Sequence, residues 1–181
     1  MRRMTRVIGL AGAVALAMAS AVQAQGAAQV GGFGVGYADI GPVIGLGGIG
    51  DAGISLGGRF ETGFKALPEM GDGVLGISVG FDWYSYDFAG YSWTYTPISA
   101  TANYHFKLEN KKWDPFLGAG LGYYIVSAPS GFGGSYNSGI YFIGRAGIRY
   151  FMSSSLALYA DAGAGAGALH VGAMFRIKGP K

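Results

Sequence analysis

From Gly41 onward the chain alternates, with apolar side chains at every second position and small or polar ones between them. In 73–86 the odd positions read Leu75, Ile77, Val79, Phe81 and Trp83, and the even positions Gly76, Ser78, Gly80 and Asp82. Neighbouring side chains of an extended strand point to opposite faces, so this period of two writes one apolar face and one polar face. The same pattern recurs in 53–64, where Ile54, Leu56 and Phe60 oppose Ser55, Arg59 and Glu61. In 93–107, Ile98, Ala100, Ala102, Tyr104 and Phe106 oppose Ser99, Thr101, Asn103, His105 and Lys107. In 115–126, Leu117, Ala119, Leu121, Tyr123 and Ile125 oppose three glycines. Arg145 and Arg149 take the polar parity in 138–150, as do Tyr159 and Asp161 in 155–163, and His170, Gly172 and Arg176 in 168–177. With 42–49 these segments predict eight strands. Residues 30–38 compete with 42–49 for the first of them.

Every charge inside these strands falls on the polar face. A soluble antiparallel sheet also alternates, but its polar face is dense with Lys, Glu and Thr facing water. Here that face is mostly Gly and Ser with a few charges, which suits the crowded interior of a narrow barrel. Composition agrees: only 13% of residues are charged and 35 are glycine, against roughly 25% charged and about 7% Gly in soluble domains. The expectation is an all-β fold: an eight-stranded antiparallel up-and-down transmembrane β-barrel spanning residues 41–177, with a four-residue tail at 178–181. With both termini periplasmic, the first, third, fifth and seventh connectors face outward. Aromatics near the strand ends predict two interfacial girdles. Trp83, Tyr84, Trp93, Tyr95, Tyr123, Tyr124, Tyr141 and Phe142 form the outer one; Phe60, Phe64, Tyr104, Phe106, Trp113, Phe116, Tyr150 and Phe175 form the periplasmic one.

The first 24 residues read differently. Arg2, Arg3 and Arg6 precede an apolar run from Val7 to Ala19, and Val22-Gln23-Ala24 offers small residues at the cleavage positions. This is the three-part pattern of a signal peptide cut between Ala24 and Gln25, leaving 25–40 as an N-terminal segment. The cut removes three of the 13 basic residues and leaves ten against ten acidic ones. No basic stripe for nucleic acid remains. Without a later apolar run of helical-span length, the mature chain can cross a bilayer only as a closed barrel. The absence of cysteine excludes disulfides and thiol chemistry.

In its signal, alternating strands and girdles the chain resembles the small outer-membrane β-barrel family that includes OmpA- and OmpX-type domains. The sharpest local match is the last strand. His170-x-Gly172-x-x-Phe175-x-Ile177 resembles the carboxy-terminal signal read by barrel assembly machinery, although this chain runs on to Lys181. The resemblance implies an outer-membrane location reached through the periplasm. It implies outer-membrane lipid and the assembly machinery as partners, a monomer, and no cofactor.

Candidate chemistry adds little. Gly45-Leu46-Gly47-Gly48-Ile49-Gly50 spells a dinucleotide fingerprint, but a strand follows it where that site requires a helix. His105 and His170 face inward without a clear third metal ligand. Arg59, Glu61, Asp82, His105, Lys107, Arg145, Arg149, Asp161, His170 and Arg176 all take the inward parity. Opposite charges in a narrow lumen should pair, because isolated buried charges are costly. The expected function is therefore non-enzymatic, a structural or surface-interaction role in the envelope. A narrow channel for small solutes is the alternative. A lipid-modifying enzyme ranks lower, since no nucleophile–base–orienter set is recognisable.

Overall fold

The alternation folds into one closed sheet. The computed structural model describes residues 32–49, 52–88, 91–127 and 138–180; the signal-peptide and Ala24/Gln25 cleavage expectations lie outside these residues. Its strands are β1 (Ala38–Ile49), β2 (Ala52–Leu67), β3 (Gly73–Phe88), β4 (Tyr91–His105), β5 (Trp113–Ser127), β6 (Gly139–Phe151), β7 (Leu156–Ala164) and β8 (Leu169–Lys178). They pair antiparallel in sequence order, and β1 closes on β8. Closure satisfies the backbone of both terminal strands, which would otherwise be open edges. At this seam a Cβ on Gly172 would lie 2.3 Å from the Pro42 carbonyl oxygen, so glycine permits the close approach.

Of the two candidates for the first strand, 42–49 is the one used, extended back to Ala38. Residues 32–37 instead cross the mouth of the barrel at the end that holds both termini. The connector after β2 adds a single 3-10 turn, Pro68–Met70, where proline suits the first helical position. Asp72 follows it at φ 58°.

Parity holds along the strands. Ile40, Ile44, Ile54, Ile77, Val79, Phe81, Ile98, Leu117, Leu121, Ile140 and Phe142 are all exposed on the outer wall. An apolar surface of this extent fits hydrocarbon rather than water. The inner face is less polar than its glycines suggest: Val43, Phe116, Ile143, Phe151 and Met174 are buried there.

At the termini end Phe64, Phe106 and Trp113 are exposed on the outer wall, whereas Phe116 is buried in the lumen. The opposite girdle needs correction. Trp83, Tyr123 and Phe142 are exposed on the outer wall. Tyr84, Trp93 and Tyr95 are buried inside as one cluster, with Tyr86 and Val126 packed against it. Tyr124 and Tyr141 share the inward parity and stack with ring centroids 4.0 Å apart. Adjacent residues on a strand face opposite ways, so Trp83 and Tyr84, or Tyr141 and Phe142, cannot share one girdle. Beyond Trp83 the two faces also exchange character. Ser85, Asp87, Ser92, Thr94 and Thr96 take the outward parity, and the aromatics point in. That is the pattern of a hairpin leaving lipid for water.

Candidate functional site

The inward side chains form two ionic layers. The layer nearer the termini is built on Arg149 of β6, which is fully buried. Its guanidinium meets Asp39 of β1 at 3.1 Å, Asp114 of β5 at 3.3 Å, and Glu61 of β2. His105 of β4 bridges two of the same carboxylates, its Nε2 2.8 Å from Glu61 and its Nδ1 2.9 Å from Asp114. Asn103 donates to Glu61 at 2.8 Å. Five strands thus contribute acids or bases to one centre, and the antiparallel register sets them level with one another. A buried cation is tolerable only where such partners replace its water.

Residues 32–37 close this layer from below. Phe33 stacks on His105 with centroids 3.6 Å apart, and the Arg149 guanidinium lies 5.2 Å from the Phe33 ring. The segment is fastened by backbone hydrogen bonds, Gly32 donating to Lys111 and Gly36 to Gly63. The Tyr37 hydroxyl donates to Asp39 at 2.9 Å. Burial and the neighbouring Asp39 carboxylate raise its pKa well above the ordinary phenol value, which keeps that proton in place.

The second layer lies further along the barrel. Arg59 of β2 donates to Asp82 of β3 at 2.7 Å and to the Phe81 carbonyl at 2.9 Å. Arg145 of β6 pairs with Asp161 of β7. His170 of β8 sets Nδ1 3.0 Å from Asp161 and Nε2 3.5 Å from Asp82, linking the two pairs. Tyr159 donates to Asp161, and Ser55 to Asp82. Arg145 also donates to the Gly167 carbonyl at 2.8 Å. That contact draws the turn between β7 and β8 inward, and Ala166 is buried by it. Gly167 sits at φ +93°, and a Cβ there would lie 2.7 Å from the Tyr84 hydroxyl. The Gly/Ala composition of this turn is what lets it fold into the lumen.

Arg59, Glu61, Asp82, His105, Arg145, Arg149, Asp161 and His170 therefore meet in the interior as their parity requires. One other expected member does not follow the pattern. Lys107 lies beyond the end of β4, is exposed, and pairs with Asp72 at the rim, 3.2 Å away; alternation stops carrying a face once the strand ends. Arg176 lies inside as its parity requires, with its guanidinium over the rings of Tyr37 (5.1 Å) and Phe151 (5.5 Å). Asp39 and Asp114 are the acids that sequence reasoning missed. Each lay just outside the strand boundaries drawn from sequence, and each fits the inward parity of its strand when the alternation is carried one residue further for Asp114 and three for Asp39. His170, Gly172, Phe175 and Ile177 all lie on β8, the first two facing inward and the last two outward.

The space lined by Arg59, Ser78, Asp82, Asn103, Arg145 and His170 measures about 30 Å³, room for a few water molecules. No group of His, Cys, Asp and Glu among the described residues is arranged to hold a metal ion.

An apolar wall, a closed eight-stranded sheet and a lumen filled by its own ion pairs define a class: the small eight-stranded transmembrane β-barrel. No protein-family model matches the chain, and no curated protein does either. Among solved structures the chain is similar to Ail, the attachment invasion locus protein of Yersinia pestis, in complex with the heparin analogue sucrose octasulfate. That match has 16% identity, covers 77% of this chain and 93% of the other, and has a TM-score of 0.44. A second structure of Ail gives 19% identity, coverage of 80% and 96%, and a TM-score of 0.41. The class rests on the strands, wall and lumen of this chain, and the two similarities add no function to it.

Proposed function

We propose that the protein is a closed, non-enzymatic barrel of the outer membrane, acting through its outer wall and surface turns rather than through its lumen. The observation that carries this reading is the filled interior. Among the described residues two ionic layers occupy the interior, with about 30 Å³ of space beside the second, and an eight-stranded barrel is just narrow enough for its side chains to fill it. The partners this role requires are outer-membrane lipid along the apolar wall and the assembly machinery during insertion, with the β8 residues His170, Gly172, Phe175 and Ile177 as the segment presented to it.

The competing reading is an anion-favouring channel lined by arginine. It would need Arg59, Arg145 and Arg149 to be available to solutes, whereas each is held by carboxylates. Planar-bilayer recording of the refolded barrel separates the two. The closed reading expects no steady conductance above that of the bare bilayer; ion-selective steps that shift on replacing Arg145 would overturn it.

A further inference from the structure

The mature chain has six lysines, at 65, 107, 111, 112, 178 and 181. The five within the described residues all lie at the end of the barrel that holds the termini, and all are exposed. The connectors of the opposite end carry no Lys or Arg at all. The mobile cationic charge of the protein is therefore gathered at one membrane face. At that face lies a cavity of about 390 Å³ lined by Phe106, Lys107, Leu108, Lys111, Trp113 and Pro180, with Asp72 and Asp114 also on its walls. Asp72 is matched by Lys107, and Asp114 by Arg149 and His105. Lys111 enters no ion pair with a described residue.

Depth is fixed by the aromatics. Tyr104 and Phe106 meet edge to face at 4.9 Å, and Trp113 packs on Tyr150 at 4.6 Å, forming the interfacial girdle of this end. Such rings sit at headgroup level. Lys107 and Lys112 are each one residue from a girdle ring, so the lysines lie where lipid phosphates lie. The cavity also joins two media: Phe106, Leu108 and Trp113 offer exposed apolar surface, and Lys107 and Lys111 offer charge.

Resting on the reading of the protein as a membrane barrel, we infer that this cavity holds the headgroup of an anionic phospholipid from the adjoining leaflet. Its phosphate lies against Lys107 and Lys111, and its acyl chains run along Phe106 and Trp113. Each lysine near an anionic surface contributes on the order of a five-fold gain in binding.

The test is native mass spectrometry of the refolded barrel in detergent, offered phosphatidylglycerol or phosphatidylcholine. Heat-modifiable migration confirms folding first, so failure of the barrel reading shows separately. The wild type should retain phosphatidylglycerol in preference to phosphatidylcholine. Lys107→Gln and Lys111→Gln should each lower that retention about five-fold, and Lys65→Gln, outside the cavity, should leave it unchanged. Equal retention of the two lipids would overturn the proposal. So would an equal loss with Lys65→Gln, which would indicate a diffuse basic collar. Complete displacement by millimolar inorganic phosphate, with no difference between lipids, would make phosphate alone the ligand and overturn it as well.

Discussion

The two ionic layers of the lumen solve one problem in different ways. In the layer near the termini a single Arg149 faces three carboxylates, Asp39, Glu61 and Asp114, with His105 shared between two of them. In the other layer two arginines face two carboxylates, and His170 ties the pairs together. The first is a hub, the second a chain. A hub concentrates the cost of burial on one side chain, because its loss takes the shared cation from three carboxylates at once. A chain spreads that cost, because each arginine serves one carboxylate.

The largest effect should follow from cutting the hub. Arg149→Met leaves three buried carboxylates without their cation and is expected to cost about 3–5 kcal/mol, read as a lower urea midpoint in lipid vesicles. Adding Glu61→Gln should recover part of the loss, since contacting residues couple. The same kind of cut in the chain should cost less. With Arg145→Gln, Asp161 still holds His170 and Tyr159, so about 2 kcal/mol is expected from the weakened charge-assisted bonds. Equal losses at the two sites would erase the distinction between hub and chain. A smaller effect again is expected at the stopper: Phe33 is only partly buried, so Phe33→Ala should cost about 1–2 kcal/mol, below the range for a full core site. The smallest should be energetic silence with a spectroscopic signature. In single-tryptophan variants, brominated acyl chains should quench Trp83 and Trp113 and spare Trp93; quenching of Trp93 would put the mouth cluster on the wrong wall.

Much of this was legible in the sequence, and for one reason. Strand geometry ties position to face with a period of two, so Ser55, Arg59, Glu61, Asp82, Arg145, Arg149, Asp161 and His170 could be placed inside without knowledge of the register. What could not be read was which strands bring their charges level. The Arg149 hub joins residues 88 positions apart in sequence, Glu61 and Arg149, and only barrel closure brings them together. Boundaries were the second gap. Asp39 and Asp114 precede the segments with the clearest alternation, and Lys107 ends a segment drawn two residues beyond the end of β4. The mouth aromatics failed for a different reason: grouping Tyr84 with Trp83 by chemical kind set aside the parity that already separated them. Where the outer medium turns from lipid to water, the aromatic face turns inward.

The central claim is that each strand separates lipid from a sealed interior, and the cysteine-free chain makes a direct test practical. Single cysteines along β3, at 76 to 83, can be spin-labelled and read for collisions with oxygen, which concentrates in lipid, and with an aqueous nickel complex. Labels at Ile77, Val79, Phe81 and Trp83 should show high oxygen and low nickel accessibility. Labels at Gly76, Ser78, Gly80 and Asp82 should be low for both. High nickel accessibility at the even positions would mean a water-filled lumen and contradict the account.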